Sequence, residues 1–132
     1  MNLEELERSL PNGLHDAELL GFQADFLTRQ AILEVNIDIG GIEPTDDPPE
    51  GTCRRASLAF SGLHCFIVDT PDGDSQGRME QSMMSSGMGQ PRTAPIQMPS
   101  VPHDCFLCWI FVSRWNSFIR IAARSVDIEW KD

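Results

Sequence analysis

Two neighbouring stretches of this chain alternate apolar and polar residues with a period of two. In residues 20–26 the larger apolar residues occupy even positions, and in residues 31–39 they occupy odd positions. Successive side chains of a β-strand point to opposite faces, so each stretch predicts a strand with one apolar and one polar face. A short turn joins them into a β-hairpin over residues 17–39, with Glu34 and Asp38 on its polar face.

Further strands are predicted downstream. Residues 54–60 resume the alternation, and residues 63–68 continue as a strand with less clear polarity. Residues 105–112 are apolar on both faces, which is typical of a strand in the middle of a sheet that is covered on both sides. This stretch is the best indication of a two-layer architecture, in which a second sheet or an N-terminal helix provides the cover.

The C-terminal stretch changes phase partway along its length. Its apolar residues fall on odd positions up to Ala123 and on even positions from Val126. A bulge or turn at residues 124–125, between two strand segments, accounts for this shift. The alternative is a short helix over residues 117–123 with a polar N-cap.

A short helix is predicted at the N-terminus. Asn2 is a suitable N-cap, and Glu5 three residues later completes a capping box. The three leucines within residues 3–10 form one apolar stripe, and so short a helix must dock on a sheet to persist. The predicted fold class is mainly β, with α+β as the alternative. It is an antiparallel sheet in a two-layer sandwich or open barrel, with a short N-terminal helix.

We expect residues 1–132 to form a single domain with one unusual segment. Residues 69–103 hold five prolines, four glycines and five of the six methionines. A structureless segment of this length is uncommon inside a compact domain, so we predict a Pro/Gly/Met-rich loop or insertion. Methionine side chains suit adaptable binding surfaces, although a tolerated surface insertion is the plainer interpretation.

The net charge of −10 is confined to the first part of the chain. Residues 1–50 carry 12 acidic and 2 basic residues, whereas residues 51–132 carry 8 of each. An acidic surface repels phosphate backbones, so nucleic-acid binding is disfavoured and a basic protein partner is favoured. Asp46 and Asp47, in the proline-rich loop of residues 43–51, belong to this surface. The simpler explanation is that the charge keeps a small protein in solution.

We expect a cytoplasmic protein that makes no contact with a membrane. The chain opens without a basic region followed by an apolar core, so no secretory signal is predicted. Its longest apolar run, residues 105–112, is far shorter than the ~20 residues that span a bilayer. In such a compartment the four cysteines are expected to be free thiols.

Two His-Asp pairs precede predicted strands. His15 and Asp16 come just before the first strand, and His103 and Asp104 come just before the strand of residues 105–112. If both pairs lie at the same end of a sheet, two imidazoles and two carboxylates converge in a set suited to a metal ion. The alternative, which we prefer, is that these residues cap turns and satisfy strand ends.

Cys105 and Cys108 match the C-x-x-C spacing of redox and zinc sites. In those sites the motif lies in a turn or at a helix N-terminus, where both sulfur atoms reach one point. Here it begins an apolar strand, in which an odd spacing sends the two side chains to opposite faces, so we interpret both as packing residues. No nucleophile elbow, phosphate-binding glycine loop or H-E-x-x-H motif occurs, so we predict a non-enzymatic protein with no catalytic residue or cofactor.

Trp115 lies in a predicted turn. An exposed tryptophan in such a place is a suitable anchor for a protein partner. The alternative, which we prefer, is that its ring folds back on the core.

Several short runs resemble small uncharacterised bacterial β-rich proteins. The runs are residues 11–19 with the His15-Asp16 pair, the hairpin that follows, Trp115-Asn116-Ser117-Phe118 and the closing Ile128-Glu129-Trp130. The chain is also loosely similar to immunity proteins of bacterial polymorphic toxin systems, which often have a His-Asp pair before their first strand. That resemblance implies an acidic, non-catalytic protein that blocks a toxin, and it leaves residues 69–103 unmatched.

We therefore predict a non-enzymatic protein-binding module, with an immunity-type protein that neutralises a basic toxin as the most specific form of this hypothesis. The predicted partner-binding residues are His15, Asp16, Glu34, Asp38, Asp46, Asp47 and Trp115. The alternative is a small metal-binding protein or metal-dependent enzyme that uses His15, Asp16, His103 and Asp104. Self-association into a homo-oligomer through the methionine-rich segment is a third hypothesis.

Overall fold

The computed structural model of the chain describes residues 1–14, 16–39, 53–70, 83–93 and 95–131. These residues form two antiparallel sheets and one short helix, so the mainly β fold class is confirmed. In chain order the elements are α1 (Leu3–Arg8), β1 (Glu18–Asp25), β2 (Gln30–Asp38), β3 (Cys53–Ser61), β4 (Cys65–Val68), β5 (Met84–Met88), β6 (Phe106–Val112), β7 (Ser117–Ala123) and β8 (Ser125–Trp130).

The core lies between the inner faces of the two sheets. Sheet A has the strand order β1-β2-β3-β8, and sheet B has the order β4-β7-β6-β5. The inner strands β2, β3, β6 and β7 contribute most of the fully buried side chains, which include Leu33, Val35, Ile37, Leu58, Phe60, Ile110, Val112, Ile119 and Ile121. The strand predicted to be apolar on both faces is β6, which lies inside sheet B as that pattern requires.

The hairpin predicted for residues 17–39 is confirmed as β1 and β2. Asp25 closes its turn, because its Oδ1 accepts hydrogen bonds from the backbone N–H groups of Leu27 at 2.9 Å and Thr28 at 3.4 Å. Such a side-chain acceptor stands in for a backbone turn and is a common use of aspartate. Arg29 completes the reversal with a φ of 54°, in the left-handed region.

The alternation predicted for β1 is wrong in one respect, because a β-bulge interrupts it. The register shifts between Leu19 and Gly21, so Leu19 is buried whereas Leu20 is 44% exposed. Beyond the bulge Phe22 returns to the inner face, opposite Leu33 of β2, but it remains 38% exposed. Its position explains this exposure, since β1 is the edge of sheet A and has no strand on its outer side.

The C-terminal stretch crosses from one sheet to the other at Arg124. β7 lies in sheet B and β8 in sheet A, and Arg124 alone separates them. The predicted turn at residues 124–125 is therefore confirmed, and the alternative helix over residues 117–123 is wrong. The change in phase arises because the two segments bury their apolar side chains against opposite layers of the sandwich.

The methionine-rich segment of residues 69–103 contains a strand that its composition does not reveal. β5 pairs with β6 at the edge of sheet B, from Met84 opposite Val112 to Met88 opposite Cys108. Its central residues are two serines and a glycine, which have little β-propensity, so only the pairing with β6 makes it a strand.

The capping box predicted for the N-terminal helix is confirmed. The Asn2 side chain accepts a hydrogen bond from the Glu5 backbone N–H at 2.8 Å, and the Glu5 carboxylate accepts one from the Asn2 N–H at 3.3 Å. Leu3 and Leu6 are buried where α1 lies across the edge strands β8 and β5. In the described part of the chain no helix is long and apolar enough to cross a membrane.

Candidate functional site

The outer face of sheet A is acidic. Residues directly opposite in antiparallel strands share a face, so the register places Glu34, Ser57 and Glu129 in one row across three strands. By the same rule the described carboxylates of this acidic face are Glu18, Asp25, Glu34, Asp38, Asp127 and Glu129, and its described cations are Arg55 and Lys131. The face therefore carries an excess of negative charge across all four strands of sheet A.

Ser57 anchors the centre of the acidic face. It is 4% exposed, and its hydroxyl lies 2.9 Å from both carboxylate oxygens of Glu34. This contact orients Glu34 while the half-buried carboxylate keeps acceptor positions toward solvent. On β8 the carboxylates of Asp127 and Glu129 are exposed, and neither has an ion-pair partner among the described residues.

The long edge of sheet A adjoins this face. β1 is eight residues long, and at its start Glu18 forms an isolated bridge with Met83. From Leu20 to Asp25, no backbone hydrogen bond reaches the outer side of β1 from any described residue. An exposed edge presents unpaired N–H and C=O groups that accept another strand, so this edge is a ready template for pairing.

Aromatic rings pack against the face of β1 that points toward sheet B. The ring centroid of Phe22 lies 5.8 Å from that of Phe66 on β4 and 5.6 Å from that of Trp115, which meets it edge to face. All three rings remain partly exposed. These partly exposed rings therefore fill the space between the two sheets beside β1 and β4.

The tip of the β1–β2 hairpin adds exposed apolar surface. Phe26 is 57% exposed and Leu27 is 97% exposed, and Leu20 lies farther back on the same strand. Single exposed apolar residues are ordinary, whereas several on one edge strand and its turn form an apolar patch. We call Leu20, Phe22, Phe26 and Leu27, with the outer side of β1, the β1 edge.

The outer face of sheet B carries a separate apolar groove of about 500 Å³. Its floor holds the rings of Trp109, Phe111 and Phe118, and the two phenylalanine centroids are 5.1 Å apart. Gly87 lies opposite Trp109 on β5, where a Cβ atom would come within 2.5 Å of the indole ring. Any larger residue at this position would displace Trp109, so the glycine is required by packing.

Arg120 is buried beside this groove. Its side chain lies opposite Trp109, packs against the Phe118 ring and forms an ion pair with Asp69. An uncompensated buried charge is costly, so the Asp69 carboxylate is essential to Arg120. The outward side chains of β6, Trp109 and Phe111, thus pack against Phe118, and Trp109 also lies opposite Arg120. These contacts explain why this strand is apolar on both faces.

The structure describes four of the seven predicted partner-binding residues. Glu34 and Asp38 lie on the acidic face, as the alternation indicates. Trp115 packs against the core and against Phe22, so it supports the β1 edge from beneath. Asp16 is exposed just before β1. The other three predicted residues, His15, Asp46 and Asp47, lie outside the described part of the chain.

Asp16 and Asp104, one member of each His-Asp pair, do not lie at one end of a sheet. Ala17, next to Asp16, accepts a hydrogen bond at 2.8 Å from Met84, which lies opposite the last residue of β6. Asp104 instead precedes the first residue of β6 and pairs with Arg124 at 3.0 Å. Seven residues of strand separate the two ends, which is about 20 Å at ~3.3 Å per residue.

The condition for the proposed metal site is therefore unmet for Asp16 and Asp104. His103 is exposed beside Asp104. In the described ranges no group of three or more His, Cys, Asp or Glu side chains is placed to hold a metal ion.

Cys108 is a packing residue of β6, whereas Cys105 is half-buried and lies one residue before the strand that it was predicted to begin. Cys108 is buried opposite Ile121 in the core, and burial raises the pKa of its thiol well above the usual range. Burial also raises the pKa of Cys105, and the neighbouring Asp104 carboxylate adds to the effect. A raised pKa disfavours the thiolate, which is the form of cysteine that acts as a nucleophile or metal ligand.

Comparison with protein-family models, with curated proteins and with solved structures found no match to this chain.

Reasoning from the sequence did not identify the β1 edge or the aromatic groove. One available signal was Phe26-Leu27, two large apolar residues placed in a turn between Asp25 and Thr28. The groove had a weaker signal, because it depends on how β5 pairs with β6.

Proposed function

We propose that this protein is a non-enzymatic protein-binding module whose partner is a basic protein. The observation that supports the proposal is the acidic face of sheet A, which adjoins the exposed apolar residues of the β1 edge. Charged surfaces speed and orient encounters with partners of opposite charge, while apolar residues beside them supply affinity. A toxin neutralised by an immunity-type protein is the partner class that the sequence resemblance favours.

The arrangement of the site suits binding better than catalysis. The carboxylates of the acidic face are spread over four strands, and the described pocket on this face is lined by one of them, Asp25. The described groove on the other sheet is lined by aromatic and small polar side chains with one guanidinium, from Arg92, and has no acid–base pair. General acid–base chemistry needs titratable groups close to a bound substrate, so this arrangement of the described residues supports binding over catalysis.

The test begins by identifying a partner. The tagged full-length protein is used to capture proteins from an extract of its native host, and captured proteins are identified by mass spectrometry. The identified protein is then purified and its affinity is measured by calorimetry. We expect a basic protein whose binding weakens about tenfold or more between low and high salt, since exposed charges are screened over ~10 Å at 0.1 M.

Two charge-matched variants make this test specific. Asp127→Asn with Glu129→Gln removes two exposed charges from the acidic face, and Glu4→Gln with Asp104→Asn removes two exposed charges elsewhere. We expect the first pair to weaken binding by about fivefold or more and the second to leave it unchanged. An identified partner that is acidic, or equal effects of the two variants, would contradict the proposal.

A further inference from the structure

We infer that the basic partner docks by adding an extended strand to the outer side of β1, so that sheet A continues into the partner. This inference rests on the proposed function and states how that binding occurs. It also defines the chemistry of the partner segment: a strand in which apolar residues alternate with lysine or arginine. Main-chain hydrogen bonds provide affinity in such complexes, and alternate side chains provide specificity.

The described edges of the two sheets differ in how far they are protected. At β8, the Met1 carbonyl accepts a hydrogen bond from the Val126 N–H at 2.9 Å, and α1 lies alongside. At β5, a serine hydroxyl donates to the Glu7 carboxylate of α1. β4 is only four residues long. β1, which is twice as long, has no described cover from Leu20 onward, so it is the edge best suited to accept a strand.

The inner side of an added strand would meet apolar surface. Side chains on neighbouring strands that face the same way lie about 5 Å apart, so inward residues of the partner would lie beside Phe22. Phe22 is 38% exposed although it packs against Phe66 and Trp115. An aliphatic partner residue would cover the remaining ring surface, which favours binding through the hydrophobic effect.

The outer side of an added strand would meet the acidic face. Outward residues of the partner would lie one strand from Asp25 and two strands from Glu34. Neighbouring strands are ~4.8 Å apart, so the long side chains of lysine and arginine reach both carboxylates. The edge therefore selects apolar side chains at the inward positions of the partner strand and basic side chains at its outward positions.

A second copy of this chain fits the edge poorly. Antiparallel pairing of two β1 edges would set the acidic faces of both copies side by side, with Asp25 on the free part of each edge. Like charges on neighbouring strands are destabilising, and each copy also carries a net charge of −10. Charge complementarity thus favours a basic strand over self-pairing.

The experiment uses the full-length protein and defined peptides. The probe is a blocked heptapeptide that alternates lysine or arginine with valine, and its control is a peptide of the same composition with the valines in one block. Two further forms are N-methylated at every second residue, and each removes the N–H donors along one edge of the strand. Affinity is measured by calorimetry, and backbone amide shifts of the protein are followed by NMR.

We expect the alternating peptide to bind better than the blocked one and to shift the amides of β1. One N-methylated form should lose about tenfold or more in affinity while the other binds normally, because only one edge of the peptide pairs with β1. Leu20→Lys should weaken binding by about fivefold or more. Val68→Lys, which adds the same charge to an exposed residue of the β4 edge, should leave binding unchanged.

The outcomes separate this inference from the proposed function. If all peptides bind equally and shift only the acidic face, a basic partner is bound without strand addition, which overturns the inference alone. If the amides of β4 shift instead, the peptide adds to the edge of sheet B, and the assignment of the binding edge to β1 is wrong. If the alternating peptide does not bind, the inference is overturned, while the proposed function is decided separately by partner capture and its charge variants.

Discussion

The two sides of the sandwich are closed in different ways. On one side α1 covers the edges of β8 and β5, and Leu3 and Leu6 are 1% and 0% exposed. On the other side β1 and β4 meet through Phe22, Phe66 and Trp115, which stay partly in solvent. The closed side has the properties of a folding core and the open side those of a binding surface. We therefore expect substitutions on the first to change stability and substitutions on the second to change binding.

The largest effect is expected on the closed side. Leu6→Ala should lower the free energy of unfolding by about 2–5 kcal/mol, because it removes a fully buried side chain and leaves a cavity under the helix. Urea denaturation measures the change. A loss below about 1 kcal/mol would show that α1 does not close the sandwich in solution.

Phe22→Ala should cost less, about 2 kcal/mol, although it removes a larger side chain. The ring is already 38% exposed, so less surface returns to water and solvent fills the space that it leaves. The same denaturation experiment compares it with Leu6→Ala. A cost equal to or above that of the leucine variant would remove the distinction between the two sides.

Asn2→Ala should lower the free energy of unfolding by about 1 kcal/mol, because the capping box is broken and the Glu5 N–H loses its acceptor. Thermal unfolding followed by circular dichroism detects this change. The matched variant Asn2→Asp keeps the acceptor and should remain close to the wild type. If both variants lose stability equally, the cap does not contribute.

Leu27→Ser should change stability by less than about 0.5 kcal/mol, since the side chain is 97% exposed. It should nevertheless weaken binding to the partner identified by capture, because it removes apolar surface from the β1 edge. Calorimetry on the folded variant measures both properties. A stability loss comparable to that of Leu6→Ala would mean that the hairpin tip is part of the core.

The architecture could be predicted from the sequence because it depends on local patterns. Period-two alternation identified the β1–β2 hairpin and β3, and the Asn2–Glu5 pair identified the helix start. The change of phase after Ala123 identified the point where the chain changes sheets. Each of these signals arises from side-chain direction within a few residues, which a sequence records directly.

The candidate site could be predicted only in part, because it depends on strand order. The alternation placed Glu34 and Asp38 on a polar face, but Asp127 and Glu129 join them only because β8 pairs with β3. The bulge after Leu19 exposes Leu20, and the residue types in that stretch do not predict a bulge. Asp16 and Asp104 illustrate the converse, because both precede strands in the sequence but lie at opposite ends of β6 in the structure.

Amide hydrogen exchange of the isolated protein, followed residue by residue by NMR, tests the difference between the two edges most directly. We predict that alternate amides between Leu20 and Asp25 exchange nearly as fast as amides in unstructured peptides, because they point away from β2. The Val126 amide, bonded to the Met1 carbonyl, should exchange as slowly as the core strands. Slow exchange along the whole of β1 would contradict the account, since it would mean that this edge is already covered.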